Sequence, residues 1–203
     1  MDKKARIAVL VSGGGTNLQA LIDAQSSGII SSGYISVVVS GKAGAYALQR
    51  AENAGIATET LPRSDYADAV GYSRALGELL AGYDIDLVVL AGFMSILTPE
   101  FIDLYPDRII NVHPSLIPSF CGEGCFGIKV HQMALDYGVK VSGATVHFVS
   151  QKVDGGRIIA QKAAEVLEGD TPETLQRRIM EQCEWVILPR AVEQLCRKIS
   201  ENK

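Results

Sequence analysis

The sequence is poor in the residues on which several protein classes depend. Its 203 residues include only four cysteines, and the one close pair, Cys121 and Cys125, has no second pair to complete a zinc site. We therefore expect Cys121, Cys125, Cys183 and Cys196 to be reduced thiols without a chemical role. A formal net charge of -4 argues against nucleic acid as a partner, because nucleic-acid binders usually present a basic patch.

Long apolar runs are also absent. The longest, Leu87–Met94, is far shorter than a membrane span, and Ile7–Val11 is too short for the core of a signal peptide. With 47% apolar residues the chain can still bury a sizeable core, which excludes wholesale disorder. We expect a cytoplasmic protein with no membrane partner. Since no linker rich in Pro, Gly or Ser interrupts the sequence, we expect one domain over residues 1–203, with a possible seam between two lobes near residues 105–110.

Two periodicities alternate through the first half of the chain. Compact, apolar, strand-like runs occupy Arg6–Val11, Tyr34–Val39, Asp86–Ala91 and Arg108–Val112. Helical spacing of apolar residues occupies Asn17–Gln25, Ala45–Ala54 and Tyr66–Ala81. Apolar strands separated by amphipathic helices indicate a parallel sheet covered on both faces. The sequence therefore predicts an α/β fold with a doubly wound, mostly parallel sheet.

The last third of the chain has a different pattern. Val141–Val149 and Arg157–Val166 alternate with period two, and the turn Asp154-Gly155-Gly156 separates them, which predicts an antiparallel strand pair. A long C-terminal helix should follow. Asp170 or Thr171 can cap that helix, and Pro189 should kink or interrupt it.

The first candidate site is the loop Ser12-Gly13-Gly14-Gly15-Thr16-Asn17 between a predicted strand and helix. Glycines let the backbone approach an anion, and the following helix offers free N–H groups. The loop is not a Walker loop, and it lacks the dinucleotide fingerprint because Leu18 stands where the third glycine belongs. It is either a phosphate cradle or a tight turn.

The second candidate site is the segment that contains Asn111 and His113, just past a buried strand. Their side chains are two residues apart and therefore face the same side, where an amide and an imidazole can stabilise an oxyanion. A histidine that is merely hydrogen-bonded at a strand end is the alternative. Asp154 lies in an ordinary Asp-Gly turn, unless that loop folds back onto His113, where the carboxylate would orient the imidazole and accept protons.

Other polar residues remain ambiguous. His147 is either a secondary contact in the cleft or a core histidine, and His131 is more consistent with a surface or packing role. A metal site formed by His113, His147 and Asp154 stays open, although no fixed ligand spacing supports it. The loop Phe93–Pro99 either walls a pocket for a flat heterocycle or is core that leads into a helix.

Together, these segments resemble the glycinamide ribonucleotide (phosphoribosylglycinamide) formyltransferases, folate-dependent enzymes of purine synthesis. The resemblance covers roughly residues 6–199. The matching runs are Val11-Ser12-Gly13-Gly14-Gly15-Thr16-Asn17-Leu18-Gln19-Ala20, Val88-Val89-Leu90-Ala91-Gly92-Phe93-Met94, Asn111-Val112-His113-Pro114-Ser115-Leu116-Ile117-Pro118, and Thr145-Val146-His147-Phe148-Val149 with Asp154-Gly155-Gly156. Two departures are Ser95, where the family often carries Arg, and Ser119–Val130, which is longer than the usual link.

The resemblance implies a Rossmann-like formyltransferase fold and formyl transfer from 10-formyltetrahydrofolate to the amine of glycinamide ribonucleotide, without a metal. It implies that the catalytic residues are Asn111, His113 and Asp154. The implied nucleotide-binding residues are Gly13, Gly14, Gly15, Thr16, Asn17 and Glu184. The implied folate-binding residues are Met94, Ser95, Ile96, Leu97, Asn111, Val153 and Asp154.

Three other functions are weighed against this one. The nearest is hydrolysis of formyl-folate by a related deformylase, whose relatives usually carry an extra N-terminal domain. Formylation of initiator methionyl-tRNA is less consistent with the sequence, because those relatives carry a C-terminal RNA-binding domain. A non-catalytic nucleotide-binding module is disfavoured by the intact Asn111, His113 and Asp154. The expected partners are small-molecule substrates, and a homodimer is possible.

Overall fold

The computed structural model describes residues 4–202, and its seven strands form one sheet. The strands are β1 (Ala5–Val11), β2 (Gly33–Ser40), β3 (Ala57–Thr60), β4 (Leu87–Leu90), β5 (Ile109–His113), β6 (Val141–Phe148) and β7 (Ile158–Glu165). Their order is β3-β2-β1-β4-β5-β6-β7, parallel from β3 to β5 and antiparallel for β6 and β7. The predicted fold class and the C-terminal antiparallel pair are confirmed. The possible seam near residues 105–110 falls between β4 and β5, which pair directly.

Within the described residues, seven α-helices cover the two faces of the sheet. They are α1 (Thr16–Ser26), α2 (Tyr46–Asn53), α3 (Ala69–Ala81), α4 (Pro99–Leu104), α5 (Ile128–Tyr137), α6 (Pro172–Ile179) and α7 (Trp185–Glu201). Alternate residues of β1 enter two separate cores: Ile7 and Val9 pack towards α1 and α7, whereas Ala8 and Leu10 pack towards α3 and α4. Because β1 is buried on both faces, it reads as a continuous apolar run rather than an alternating one. No helix within residues 4–202 combines the length and apolarity that a membrane crossing needs.

Three local expectations need correction. The helix predicted from Tyr66 begins at Ala69, because the Asp68 carboxylate accepts a hydrogen bond from the Gly71 N–H (2.7 Å) and caps the helix there. The edge strand β3 was not predicted, since its four residues are only partly buried or exposed and show no apolar run. Pro189 does not interrupt the C-terminal helix but lies inside α7.

The interruption lies upstream of Pro189, in a π-helical turn at Met180–Glu184 that joins α6 to α7. Such turns insert an extra residue into an α-helix and are frequent at functional sites. Of the two predicted caps, Thr171 caps α6 by accepting from the Thr174 N–H, whereas Asp170 pairs with Arg178. The turn places Glu184 at the start of α7, where its side chain faces α1.

The strand order positions the predicted loops. The chain runs outward from β1 to β3 and then returns to the other side of β1 as β4, so the order reverses between β1 and β4. Open α/β sheets bind ligands at the carboxyl ends of the strands beside such a reversal. The loop Ser12–Asn17 follows β1, the loop Phe93–Pro99 follows β4, and His113 is the last residue of β5. All three therefore lie at the carboxyl edge of the sheet.

Candidate active site

The loop after β1 has the backbone of an anion cradle. The Ala47 N–H donates to the Gly13 carbonyl (3.1 Å) and Arg50 Nε donates to the Gly14 carbonyl (2.8 Å), so both carbonyls are held by α2. The N–H groups of Gly13, Gly14 and Gly15 find no acceptor within residues 4–202. Free N–H groups at the start of a helix favour an anion.

Gly15 is required by two separate features of this loop. Its φ of 72° lies in the left-handed region, which side chains disfavour. A Cβ on Gly15 would also lie 2.6 Å from the Cβ of Ala47, so a side chain would push α2 away from the loop. Gly13 and Gly14, by contrast, face open space. The local fold therefore requires glycine at position 15, whereas it leaves room for side chains at positions 13 and 14.

The structure brings Asn17 and Glu184 together, although 167 residues separate them in the chain. Asn17 Nδ2 donates to Glu184 Oε2 at 2.6 Å, and Asn17 Oδ1 is buried without a hydrogen-bond partner within residues 4–202. Glu184 is 6% exposed, and burial raises the pKa of its carboxyl to about 6 against the opposing hydrogen bond from Asn17. The unused oxygen of Asn17 and the buried carboxyl can both accept from the hydroxyl groups of a ligand.

The pairing of β5 with β6 sets Asn111 opposite His147. Asn111 Nδ2 lies 3.2 Å from His147 Nε2, and His147 Nδ1 lies 2.8 Å from the Phe148 carbonyl oxygen. A carbonyl only accepts, so the proton of the neutral ring resides on Nδ1 and Nε2 accepts from the Asn111 amide. One N–H of that amide is thereby held, and the other remains available. His147 is 2% exposed, which agrees with a core histidine, and its place beside Asn111 leaves a secondary contact with a ligand as a prediction.

The loop that carries Asp154 folds back onto His113, which is the condition under which a role for Asp154 was expected. Its carboxylate lies 3.6 Å from His113 Nδ1 through Oδ2 and 3.6 Å from His147 Nε2 through Oδ1. Both distances exceed an ordinary hydrogen bond and suit an ion pair once a ring is protonated. Asn111, His113, His147 and Asp154 therefore form one cluster at the carboxyl end of β5.

The pKa of the Asp154 carboxyl follows from its neighbours. Burial would raise it, but the polar contact with His147, the Gly122 N–H (2.9 Å from Oδ2) and the electrostatic influence of His113 and His147 outweigh burial and hold the pKa below its usual value. The group is therefore an anion at neutral pH. A carboxylate placed between two imidazoles can stabilise a proton on either ring.

The loop after β4 divides its side chains between solvent and core. Met94 and Ile96 are exposed, as is Val153 beside Asp154, whereas Leu97 is buried in the core with α3 and α4. The side chain of Leu97 is therefore not available to a ligand, although Leu97 is one of the expected folate-binding residues. Ser12 Oγ accepts from the Met94 N–H (3.0 Å), which ties the glycine loop to this one.

Two contacts made by the segment Ser119–Val130 could not be predicted from the sequence. The Phe120 carbonyl accepts from His113 Nε2 (2.9 Å), and the Gly122 N–H contacts Asp154 as described above. Both are backbone groups, so residue identity carries little signal of them. His131 is fully buried in α5, which supports a packing role, and burial together with His113 lowers its pKa to about 4. Within residues 4–202, no group of three or more His, Cys, Asp or Glu side chains is arranged to hold a metal ion.

Comparisons with known proteins agree over nearly the whole chain. The formyl transferase family matches residues 5–192. The chain is 42% identical over 186 residues to phosphoribosylglycinamide formyltransferase of Escherichia coli (strain K12), covering 92% of this chain and 84% of that protein. The crystal structure of glycinamide ribonucleotide transformylase 1 from Symbiobacterium toebii superposes with a TM-score of 0.90 at 44% identity, covering 96% of this chain and 89% of that one.

A longer relative matches equally well. The trifunctional purine biosynthetic protein adenosine-3 of Homo sapiens is 44% identical over 191 residues, which cover 94% of this chain. The chain spans only 18% of that protein's length. Sequence, family match and fold lead to the same conclusion: the chain belongs to the formyl transferase family.

Proposed function

We propose that this protein transfers the formyl group of 10-formyltetrahydrofolate to the amine of glycinamide ribonucleotide, in the de novo biosynthesis of purines (IMP). The observation that carries the proposal is the cluster of Asn111, His113 and Asp154 at the carboxyl end of β5. Relatives that are more than 40% identical over almost the whole chain are named for this activity, which supports the choice of substrates.

The nucleotide end of the substrate fits the loop after β1. The free N–H groups of Gly13, Gly14 and Gly15, with the Thr16 hydroxyl at the start of α1, can bind a ribose phosphate. Asn17 Oδ1 and the Glu184 carboxyl offer acceptors to ribose hydroxyls. A buried acceptor pair of this kind discriminates against ligands without hydroxyl groups, because such ligands leave the acceptors unpaired.

The formyl end of the reaction fits the cluster on β5. Attack of the amine on the formyl carbon places negative charge on the formyl oxygen, which needs hydrogen-bond donors. The free N–H of the Asn111 amide and a protonated His113 Nδ1 are donors that face the cluster. Removing one such donor typically costs about 10²–10³ in rate.

Asp154 is the proton-handling group of the proposal. The attacking amine becomes cationic and must lose a proton, and the folate nitrogen must gain one before it leaves. The low pKa of Asp154 keeps the carboxylate charged, so it stabilises a protonated His113 and accepts the amine proton directly or through water. No covalent bond to the enzyme is needed, and holding two substrates together supplies much of the acceleration.

The exposed apolar side chains of Met94, Ile96 and Val153 are suited to a flat heterocycle. Formyl-folate is the co-substrate of the family, and it supplies the formyl carbon. Ser95 brings no charge to this loop, so we expect a weaker contact with the folate there. A homodimer and a single domain over residues 1–203 stay predictions.

Deformylation of formyl-folate is the rival activity, and it is not favoured because hydrolysis gives no role to the phosphate loop or to Glu184. Purified protein should convert 10-formyltetrahydrofolate only when glycinamide ribonucleotide is present, and formylated nucleotide should appear. Conversion without nucleotide, with release of formate, would show a deformylase instead.

Substitutions test the assigned roles in the same assay. Asp154→Asn keeps the shape and loses the charge, and it should lower kcat by about 10²–10⁴. His113→Ala should remove turnover while nucleotide still binds. Asp136→Asn removes an exposed carboxylate from α5 and is the matched control that should change neither quantity. Turnover at the wild-type rate in His113→Ala would refute the catalytic assignment.

A further inference from the structure

The loop segment Ser119–Gly122 contacts both side chains to which the reaction is assigned. Its Phe120 carbonyl accepts a hydrogen bond from His113 Nε2 at 2.9 Å, and its Gly122 N–H donates one to Asp154 Oδ2 at 2.9 Å. One short stretch of backbone therefore supplies an acceptor to the imidazole and a donor to the carboxylate.

Two contacts hold the segment Ser119–Gly122 in place. The buried Ser115 hydroxyl donates to the Ser119 carbonyl at 2.6 Å. The Phe120 ring packs edge-on against the Tyr137 ring of α5, with ring centroids 6.0 Å apart. Phe120 has a φ of 49°, a left-handed conformation that is energetically unfavourable for a non-glycine residue. Packing of the ring offsets that cost and fixes the direction of the Phe120 carbonyl.

The Phe120 carbonyl decides which nitrogen of His113 carries the proton. A carbonyl only accepts, so the neutral ring keeps its proton on Nε2 and turns the lone pair of Nδ1 towards Asp154. From that state His113 donates at Nδ1 only after it takes up a second proton. Without the carbonyl, the neutral ring could place its single proton on Nδ1 instead.

We propose that Phe120 is a positioning residue: its carbonyl keeps the neutral His113 ring in the Nε2–H form, so that Nδ1 can donate to the reacting oxygen only when the ring is an imidazolium, whose charge Asp154 balances. Tyr137 supports this arrangement through the Phe120 ring. The proposal rests on the proposed roles of His113 and Asp154.

Four other titratable groups surround this pair. His131 faces His113 from α5 and is buried and neutral, and His147 on β6 contacts the opposite oxygen of Asp154. Cys121 lies in the segment Ser119–Gly122, and Cys125 lies in the loop that follows. The pKa of the Cys121 thiol is raised by burial and by Asp154. A fifth group, Lys152, lies two residues before Asp154, and its positive charge opposes the rise in the pKa of Cys121. Asp154 is the carboxylate among these groups and is therefore the main electrostatic partner of a charged His113.

The direct test is the tautomer of His113 in the full-length protein without substrates. The chain has only three histidines, so NMR of nitrogen-labelled histidine rings is readily assigned with a His113→Gln variant. We expect the neutral wild-type ring to be Nε2–H. In Phe120→Gly, which tolerates the left-handed backbone but lacks the anchoring ring, the Nδ1–H share should rise. The kcat should fall about ten-fold, while KM for the nucleotide stays within about two-fold.

Tyr137 provides a second route to the same result. Tyr137 is 81% exposed, so Tyr137→Leu should fold, and it should shift the tautomer and kcat in the same direction as Phe120→Gly but less. Tyr137→Phe keeps the ring and is the control that should match the wild type.

The proposal would be overturned if the neutral His113 ring of the wild type were Nδ1–H. It would also be overturned if kcat fell in Phe120→Gly or Tyr137→Leu without a change in the His113 tautomer. The tautomer is measured without turnover, so a wild-type protein that makes no formylated nucleotide would refute the proposed function and leave this test intact.

Discussion

Glu184 should make the protein less stable as the pH rises, and Glu184→Gln should remove that effect. Its carboxyl is buried beside Asn17, and its pKa is raised from 4.5 to about 6, with burial the larger influence. Between these pH values the unfolded chain has released the proton that the folded protein still holds, so ionisation works against folding. Each pKa unit is worth about 1.4 kcal/mol, and the wild type should therefore lose about 2 kcal/mol relative to the variant.

The assay is urea unfolding of the wild type and Glu184→Gln at a series of pH values from 4.5 to 8. The introduced amide would mimic the protonated acid and still accept from Asn17, so the stability difference between the two proteins should grow by about 2 kcal/mol in favour of the variant. Other titrating groups cancel in this difference. The same substitution should weaken nucleotide binding, because the carboxylate acceptor is lost.

Glu193→Gln is the matched control with the opposite sign. Burial would raise the pKa of the Glu193 carboxyl, but hydrogen bonds from the N–H and hydroxyl groups of Ser31 and Ser32 outweigh it and lower the pKa. Ionised Glu193 thus favours folding. That stabilisation is present above the ordinary pKa of 4.5 and is lost as the pH falls below it, so the stability difference between Glu193→Gln and the wild type should be nearly constant between pH 5.5 and 8. A Glu184→Gln difference that is equally constant over this range would refute the reasoning.

Two further substitutions test the fold around the site. Gly15→Ala should lower the free energy of unfolding by about 2 kcal/mol, because it adds a Cβ at positive φ and against Ala47. Gly14→Ala faces open space and should change the free energy of unfolding by less than about 0.5 kcal/mol. Equal effects of the two substitutions in thermal or urea unfolding would contradict this prediction. Asp170→Asn should cost about 2 kcal/mol, because it breaks the ion pair with Arg178, whose hydrogen bonds hold the pKa of Asp170 well below its usual value. That stabilisation is present above the ordinary carboxyl pKa of 3.8 and is lost progressively as the pH falls below it, so the difference between the two proteins in urea unfolding should be clearly smaller near pH 2 than at pH 7.

Much of the fold could be predicted because short segments carry their own signals. The buried strands read as apolar runs, and the helices read as apolar residues at helical spacing, so β1, β4 and α2 were predicted to within one or two residues. The errors have local causes that periodicity does not contain. The start of α3 depends on the Asp68 cap, and the interruption near Glu184 is a π-helical turn rather than an effect of Pro189.

The sequence by itself determined where the chemistry could lie. A glycine loop after β1, and Asn111 and His113 at the end of β5, are local patterns, and a doubly wound sheet brings the ends of its parallel strands to one edge. The resemblance to a formyl-folate-dependent family added Glu184 and the folate loop.

Only the tertiary structure decided which of these residues meet. The contact between Asn17 and Glu184, the return of Asp154 to His113 and the place of His147 beside Asn111 join segments that are distant in the chain. Such contacts depend on the register of β5 with β6 and on loop conformation, which neighbouring residues in the sequence do not specify. The contacts of Phe120 and Gly122 are made by backbone atoms that every residue possesses. Only the tertiary structure, which places the segment Ser119–Gly122 beside His113 and Asp154, therefore reveals them.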